Sequence, residues 1–162
     1  MLDLITGAGG SLSMNDDPLN KIAEKLQQNP AVTVLTGAGV SAGSGIPTFR
    51  GDDGLWKGND PRELASPKGF RADPGRVWKW YDERRQTVDE AQPNRAHEIM
   101  GQWSREFNHF QLITQNVDDL HERADTRNII KLHGSIWHVK CWEGCAESPN
   151  RWEFRTVPLE DL

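Results

Sequence analysis

Along the chain, stretches with apolar residues at helical spacing alternate with short runs that are apolar throughout. In "DPLNKIAEKLQQNP" (17–30), Leu19, Ile22, Ala23 and Leu26 share one helical face. Asp17 can cap this helix, Pro18 suits its first turn and Pro30 stops it. "AVTVLT" (31–36) is short, β-branched and apolar, which predicts a buried strand. Two longer helices are predicted over "PGRVWKWYDERRQTVDEA", with a stripe of Val77, Tyr81, Arg84 and Val88, and over "PNRAHEIMGQWSREF", with Ala96, Ile99, Met100 and Trp103. "FQLIT" (110–114) predicts a strand, "VDDLHERA" a short helix, and "NIIKLHG" and "IWHVKC" two more strands. Residues 51–74 are polar and rich in Gly, Pro and Asp, so they read as loop with room for short helices. Residues 1–16 read as a disordered Gly/Ser/Asn-rich tail. Strands alternating with helices predict an α/β fold with a parallel sheet.

Composition narrows this picture. The 162 residues suit one domain, and seven tryptophans and five phenylalanines supply core although hydrophobic residues reach only 36%. A net charge of −5 argues against a nucleic-acid surface, and no apolar run is long enough to span a bilayer. With no secretory signal, the cytoplasm is the expected compartment. Its two cysteines, Cys141 and Cys145, then read as metal ligands or plain thiols rather than a disulfide. His97, His109, His121 and His133 recur every twelve residues. Twelve steps of about 100° do not return to one helical face, so no shared histidine site is expected.

The most informative stretch is "VLTGAGVSAGSGIPTFR". Gly37-Ala38-Gly39 and Ala42 make a G-x-G-x-x-A turn after a strand, where bare backbone can approach a phosphate. A tight turn with no ligand remains open on this pattern alone. The similar "TGAGG" at Gly7–Gly10 has no helical pattern after it and reads as tail. A dinucleotide fold wants an acidic residue roughly 20 positions on. The chain runs instead into "GIPTFRGDDGLW", a polar loop in which Phe49 could wall a flat ring and Arg50 could meet a phosphate.

Together, "TGAGVSAGSGIPTFRGDDGLW", "TQNVDDLHERA" and "KLHGS" resemble the sirtuins, the NAD-dependent protein-lysine deacylases, over residues 17–162. The resemblance implies an α/β Rossmann-like parallel sheet, here its N-terminal portion, with a small helical and zinc-ribbon insertion. The Rossmann-like part is expected over about 17–50 and 95–134, the helical module over about 51–94 and the start of the ribbon over about 135–162. It implies that Gly37, Ala38, Gly39, Ala42, Phe49 and Arg50 hold NAD. Gln115 and Asn116 would touch the nicotinamide ribose, Asp118 its carboxamide, and His133 would be the catalytic base. Val117 stands where the family more often has isoleucine. On their own, Asn116 and Asp118 could equally be a helix cap and a first-turn acid.

Two departures refine the expectation. Thr48 stands where many sirtuins have aspartate, as in the branch that removes acidic acyl groups. Tyr81 and Arg84, one helical turn apart, match that branch's Y-x-x-R, and Ala65 its small residue. A guanidinium fork and a phenol hydroxyl suit a malonyl, succinyl or glutaryl carboxylate. The plain alternative is that Tyr81 is core and Arg84 pairs on the helix surface. Cys141 and Cys145 would be the first arm of a four-cysteine zinc site, with the second pair expected beyond Leu162. His138 is the nearest further donor, though a strand residue here more readily alternates into solvent or core. An incomplete sheet and half a zinc site lead to an expectation of marginal stability, impaired activity and self-association. Acylated-lysine proteins or peptides are the expected partners. A non-catalytic NAD- or peptide-binding form and an NAD-consuming ADP-ribosyltransferase stay open beside the deacylase.

Overall fold

The computed structural model describes residues 17–48, 60–144 and 151–155. Phe49, Arg50, Cys145 and the 1–16 segment lie outside the described residues. The elements run α1 (Pro18–Gln27), β1 (Val32–Thr36), α2 (Gly39–Ala42), α3 (Pro61–Leu64), α4 (Pro67–Ala72), α5 (Pro74–Glu90), α6 (Arg95–Glu106), β2 (Phe110–Thr114), α7 (Leu120–Arg123), β3 (Ile129–Lys131), β4 (His138–Val139) and β5 (Trp152–Glu153).

Strands β1, β2 and β3 form one parallel sheet in that order, with Val34 opposite Leu112 and Leu112 opposite Ile129. One face carries Thr36, Phe110, Leu112 and Thr114, all buried, with α6 packed on β2. The other face shows the row Leu35, Ile113, Ile130, of which Leu35 and Ile130 are exposed. The expected fully buried first strand is therefore buried on one face only, because no described element covers the second. α1 also departs from expectation. Asp17 caps it by accepting from the Leu19 N–H at 3.0 Å, but Leu19 and Ile22 are exposed and no residue of this helix is buried.

The helical module has its own core of Leu64, Val77 and Trp80, with Phe70 and Tyr81 against it. Ser66 and Asp73 cap α4 and α5 through their side chains. The buried positions of α5 are Val77, Trp80, Arg85 and Val88; Tyr81 and Arg84, expected on that stripe, are half-buried beside it. α6 turns its small and polar side inward, burying His97, Gly101 and Ser104, while Ala96, Ile99, Met100 and Trp103 are only half-buried. Close approach decides this: at Gly101 an added Cβ would lie 2.2 Å from the Ala124 carbonyl oxygen, so only glycine lets α6 and α7 meet there. Of "IWHVKC" only β4 is strand, and it pairs antiparallel with β5 rather than joining the sheet. Among the described residues no helix is long and apolar enough to cross a membrane.

Candidate functional site

The three parallel strands end on the same side, and the segments that leave them meet there. β1 runs into the glycine turn, β2 into "QNVDD", and β3 into "KLHGS". Gly134 in the last segment takes φ +76°, a left-handed turn that glycine makes without strain. Helix α5 forms the opposite wall. Between them lies a cleft of about 720 Å³.

The lining of the cleft includes Ala38, Ser41, Gln115, Asn116, Asp118 and His133. Asn116 and Asp118 are buried and share Ser41: the Ser41 hydroxyl donates to Asp118 Oδ2 at 3.0 Å and accepts from Asn116 Nδ2 at 3.0 Å. The Leu120 N–H donates to Asp118 Oδ1 at 3.1 Å, and Lys131 Nζ donates to the Asp118 carbonyl. Asn116 Oδ1 is buried with no partner, an acceptor aimed at a donor from elsewhere. A Cβ at Gly39 would meet nothing within 4 Å, and one at Gly37 only Gln115 Nε2 at 3.9 Å, so the turn presents open backbone. α2 is a single turn, and the phosphate reading rests on that open surface rather than on a long helix dipole. The residues present therefore fit a bound dinucleotide.

The same lining includes Ala65, Tyr81 and Arg84. The Arg84 guanidinium lies 3.7 Å from the Trp80 ring centroid, donates through Nη1 to the Trp80 carbonyl at 2.6 Å, and pairs with Glu83 at 3.4 Å. Burial holds the Arg84 pKa below its usual value, opposed by Glu83 and Tyr81, and raises that of Tyr81, opposed by Arg84. Arg85 reaches the same cleft at 1% exposure. Thus the structure brings Ala38, Gln115, Asn116, Asp118, His133, Ala65, Tyr81 and Arg84 to one cavity. Gly37, in the turn, and Gly39 and Ala42, the ends of α2, are not part of that lining.

Cys141 is half-buried and is not part of the cleft lining. His138 is exposed, with Nδ1 against the Arg151 guanidinium. Among the described residues no group of three or more His, Cys, Asp or Glu could hold a metal ion, so the donors described do not compose a zinc site.

Of the four evenly spaced histidines, two meet. His97 and His121 are buried at 0% and 1% exposure with ring centroids 4.8 Å apart. Packing of α6 on α7 joins them, not a shared helical face; His109 and His133 are exposed elsewhere. His97 Nδ1 accepts from the Asn94 N–H at 3.2 Å, which completes a capping box. His121 Nε2 lies 3.1 Å from Thr36 Oγ1. Burial keeps both histidines neutral: it lowers the pKa of His97, and with His97 and Lys131 it takes His121 down to about 4. A histidine depressed in the folded state binds its proton first in the unfolded one. Stability is thus complete above about pH 6.5 and falls as pH drops towards about 4, by up to about 1.4 kcal/mol per pH step for one such group. Denaturant midpoints measured from pH 7.5 to 4.5 should show this fall, and His121→Asn should flatten it.

The sequence reading gave no role to Ser41, Arg85, His97 or His121. Only Ser41 had a local signal, as the one hydroxyl just inside the turn helix of "TGAGVSAG".

A model of the Sir2 family matches residues 37–158, three quarters of the chain. The chain belongs to the Sir2 family. This Sir2-family chain is 52% identical over 141 residues to NAD-dependent protein deacylase 1 of Caldanaerobacter subterraneus subsp. tengcongensis, covering 87% of this chain and 57% of that protein. It is 54% identical over 138 residues to NAD-dependent protein deacylase 1 of Archaeoglobus fulgidus, covering 85% and 55%. Among solved structures, an ADP-ribose complex of a Sir2 homologue aligns with TM-score 0.72 at 51% identity over 83% of this chain and 54% of that one. An NAD complex of a Sir2 homologue aligns with TM-score 0.70 at 50% identity, over 83% and 53%. The chain spans about half the length of the relatives it matches.

Proposed function

We propose that this Sir2 chain serves NAD-dependent deacylation of protein lysine, favouring malonyl, succinyl or glutaryl over acetyl groups and yielding nicotinamide and an O-acyl-ADP-ribose. The observation that carries the reading is that Asn116, Asp118 and His133 line the same cleft as Ala65, Tyr81 and Arg84. NAD would be held by Ala38, the open backbone at Gly37 and Gly39, Gln115 and the unpartnered Asn116 Oδ1, with Ala42, Phe49 and Arg50 as further family positions. When bound, NAD supplies a ribose carbon from which nicotinamide can leave. Ser41 holds the Asn116 amide and the Asp118 carboxylate in fixed orientation. The carboxylate retains lone pairs for an amide N–H, since two oxygens can accept about four hydrogen bonds. His133, exposed on the turn after β3, would take a proton from a hydroxyl in the cleft.

In the same cleft the small Ala65 side chain leaves room, the Tyr81 hydroxyl can donate, and Arg84 offers a charged fork steadied by Trp80. Cys141 and Cys145 are read as two of four thiolates for a structural zinc, apart from the chemistry. One assay tests the reading: nicotinamide release with NAD and succinyl- or acetyl-lysine peptide. Release that needs acyl peptide supports deacylation. Release without peptide points to another NAD-consuming reaction, and NAD binding without release to a non-catalytic form. Arg84→Met should lower kcat/KM for the succinyl peptide roughly tenfold or more relative to acetyl, the size of one charged hydrogen bond. Equal losses on both peptides would remove the carboxylate role.

A further inference from the structure

Asp118 is fixed by more than its carboxylate. Its two side-chain oxygens accept from the Ser41 hydroxyl and the Leu120 N–H. Its main-chain carbonyl takes a different donor, the Lys131 ammonium. Among the described residues no backbone N–H reaches that carbonyl, so the lysine supplies the bond that the entry to α7 leaves open. Lys131 is the last residue of β3, paired with Thr114 at the end of β2, and lies two residues before His133. Its side chain is only 14% exposed, and Glu122 Oε1, on α7, holds the same ammonium at 2.7 Å. An ammonium is a compact donor with three N–H groups. Two of them are spent here on acceptors from other elements. One cation thus ties the strand that leads to His133 to the loop that carries Asn116 and Asp118, and to the helix after it.

We propose that Lys131 is a positioning residue for the nicotinamide end of NAD: by holding the Asp118 main chain it sets the direction of the Asp118 carboxylate, and with it the fit of the nicotinamide carboxamide. This rests on the reading that Asp118 takes that carboxamide. Lys131 does not line the cleft, so it acts through Asp118 rather than on the dinucleotide. The peptide after Asp118 is a rigid plane joined to the carbon that bears the carboxylate, so pinning its oxygen limits how that carbon can turn. Ser41 and the Leu120 N–H hold the carboxylate against α2 and α7, and Lys131 holds the same residue against β3. A carboxylate set in advance spares the complex the cost of ordering it. The benefit is confined to ligands that carry the nicotinamide ring. ADP-ribose, which lacks the ring, gains nothing from it.

The test is calorimetric binding of NAD and of ADP-ribose to the whole protein, together with KM for NAD and kcat in nicotinamide release with acyl-lysine peptide. Lys131→Met keeps the apolar stem and removes the donor. It should weaken NAD binding and raise KM for NAD roughly fivefold to tenfold, the size of one charged hydrogen bond, while ADP-ribose affinity stays within about twofold. Lys131→Arg, which can still donate to the carbonyl, should restore most of the loss. Should Lys131→Met fail to fold, the shorter and neutral Lys131→Gln carries the same expectation. Equal weakening of NAD and ADP-ribose would make Lys131 a plain brace of β3 on α7 and overturn the inference, as would no change in either. Asp118→Asn separates the two readings. If it weakens NAD selectively and Lys131→Met does not, the inference alone falls. If it too leaves the ratio of NAD to ADP-ribose affinity unchanged, the carboxamide reading of Asp118 falls with it.

Discussion

His133→Ala should abolish turnover, lowering kcat by at least about a hundredfold, as loss of a general base does. NAD affinity should change no more than a few-fold. The argument is one of placement. His133 is exposed at the cleft wall, on the turn that Gly134 makes at φ +76° after β3. Truncating an exposed side chain opens no cavity, so the melting temperature should hold. In the proposed reading the polar grip on the dinucleotide lies elsewhere, in Asn116, Gln115 and the glycine turn. Single-turnover nicotinamide release together with calorimetric NAD binding separates the two effects. A variant that binds and still turns over at the parent rate would remove His133 from the chemistry.

Gly101→Ala should damage both the fold and the site. The added Cβ would stand 2.2 Å from the Ala124 oxygen and 3.3 Å from its carbonyl carbon. Backbone on both sides leaves nothing flexible to yield, so α7 must move off α6 at a cost of about 3 kcal/mol or more. α7 carries His121, and the loop before it carries Asn116 and Asp118, so NAD binding should weaken along with stability. Gly75→Ala is the control. Its Cβ would find Asp73 Oδ1 at an ordinary 3.8 Å, and alanine suits the first turn of α5. Urea denaturation should show Gly101→Ala strongly destabilised and Gly75→Ala equal to the parent or slightly better.

Much of the order of elements was legible because period and punctuation agreed. Asp17, Pro18 and Pro30 framed α1, and "FQLIT" is β2 to the residue. The inward faces were not legible. α6 buries His97, Gly101 and Ser104 because its neighbour approaches through a glycine, a fact about α7 that no local period contains. α5 buries Arg85 because two aromatic rings far along the chain receive it. β1 looked buried on both faces, yet Leu35 is 66% exposed, since apolar composition does not say what lies opposite. The motif residues fared better. Glycines, amides, acids and histidine at strand ends converge wherever parallel strands end together, so their meeting follows from topology. Ser41 was overlooked because its role is to orient two of those side chains rather than to carry chemistry.

Three of the seven tryptophans, Trp78, Trp80 and Trp142, line the cleft, and Trp80 lies directly beneath the Arg84 guanidinium. An indole reports the electric field on its ring through the colour and yield of its emission. A carboxylate arriving at Arg84 changes that field within a few ångströms, whereas a neutral acyl group does not. The protein thus carries an unlabelled optical sensor for the charge of what occupies its cleft, one that responds whether or not any bond is broken.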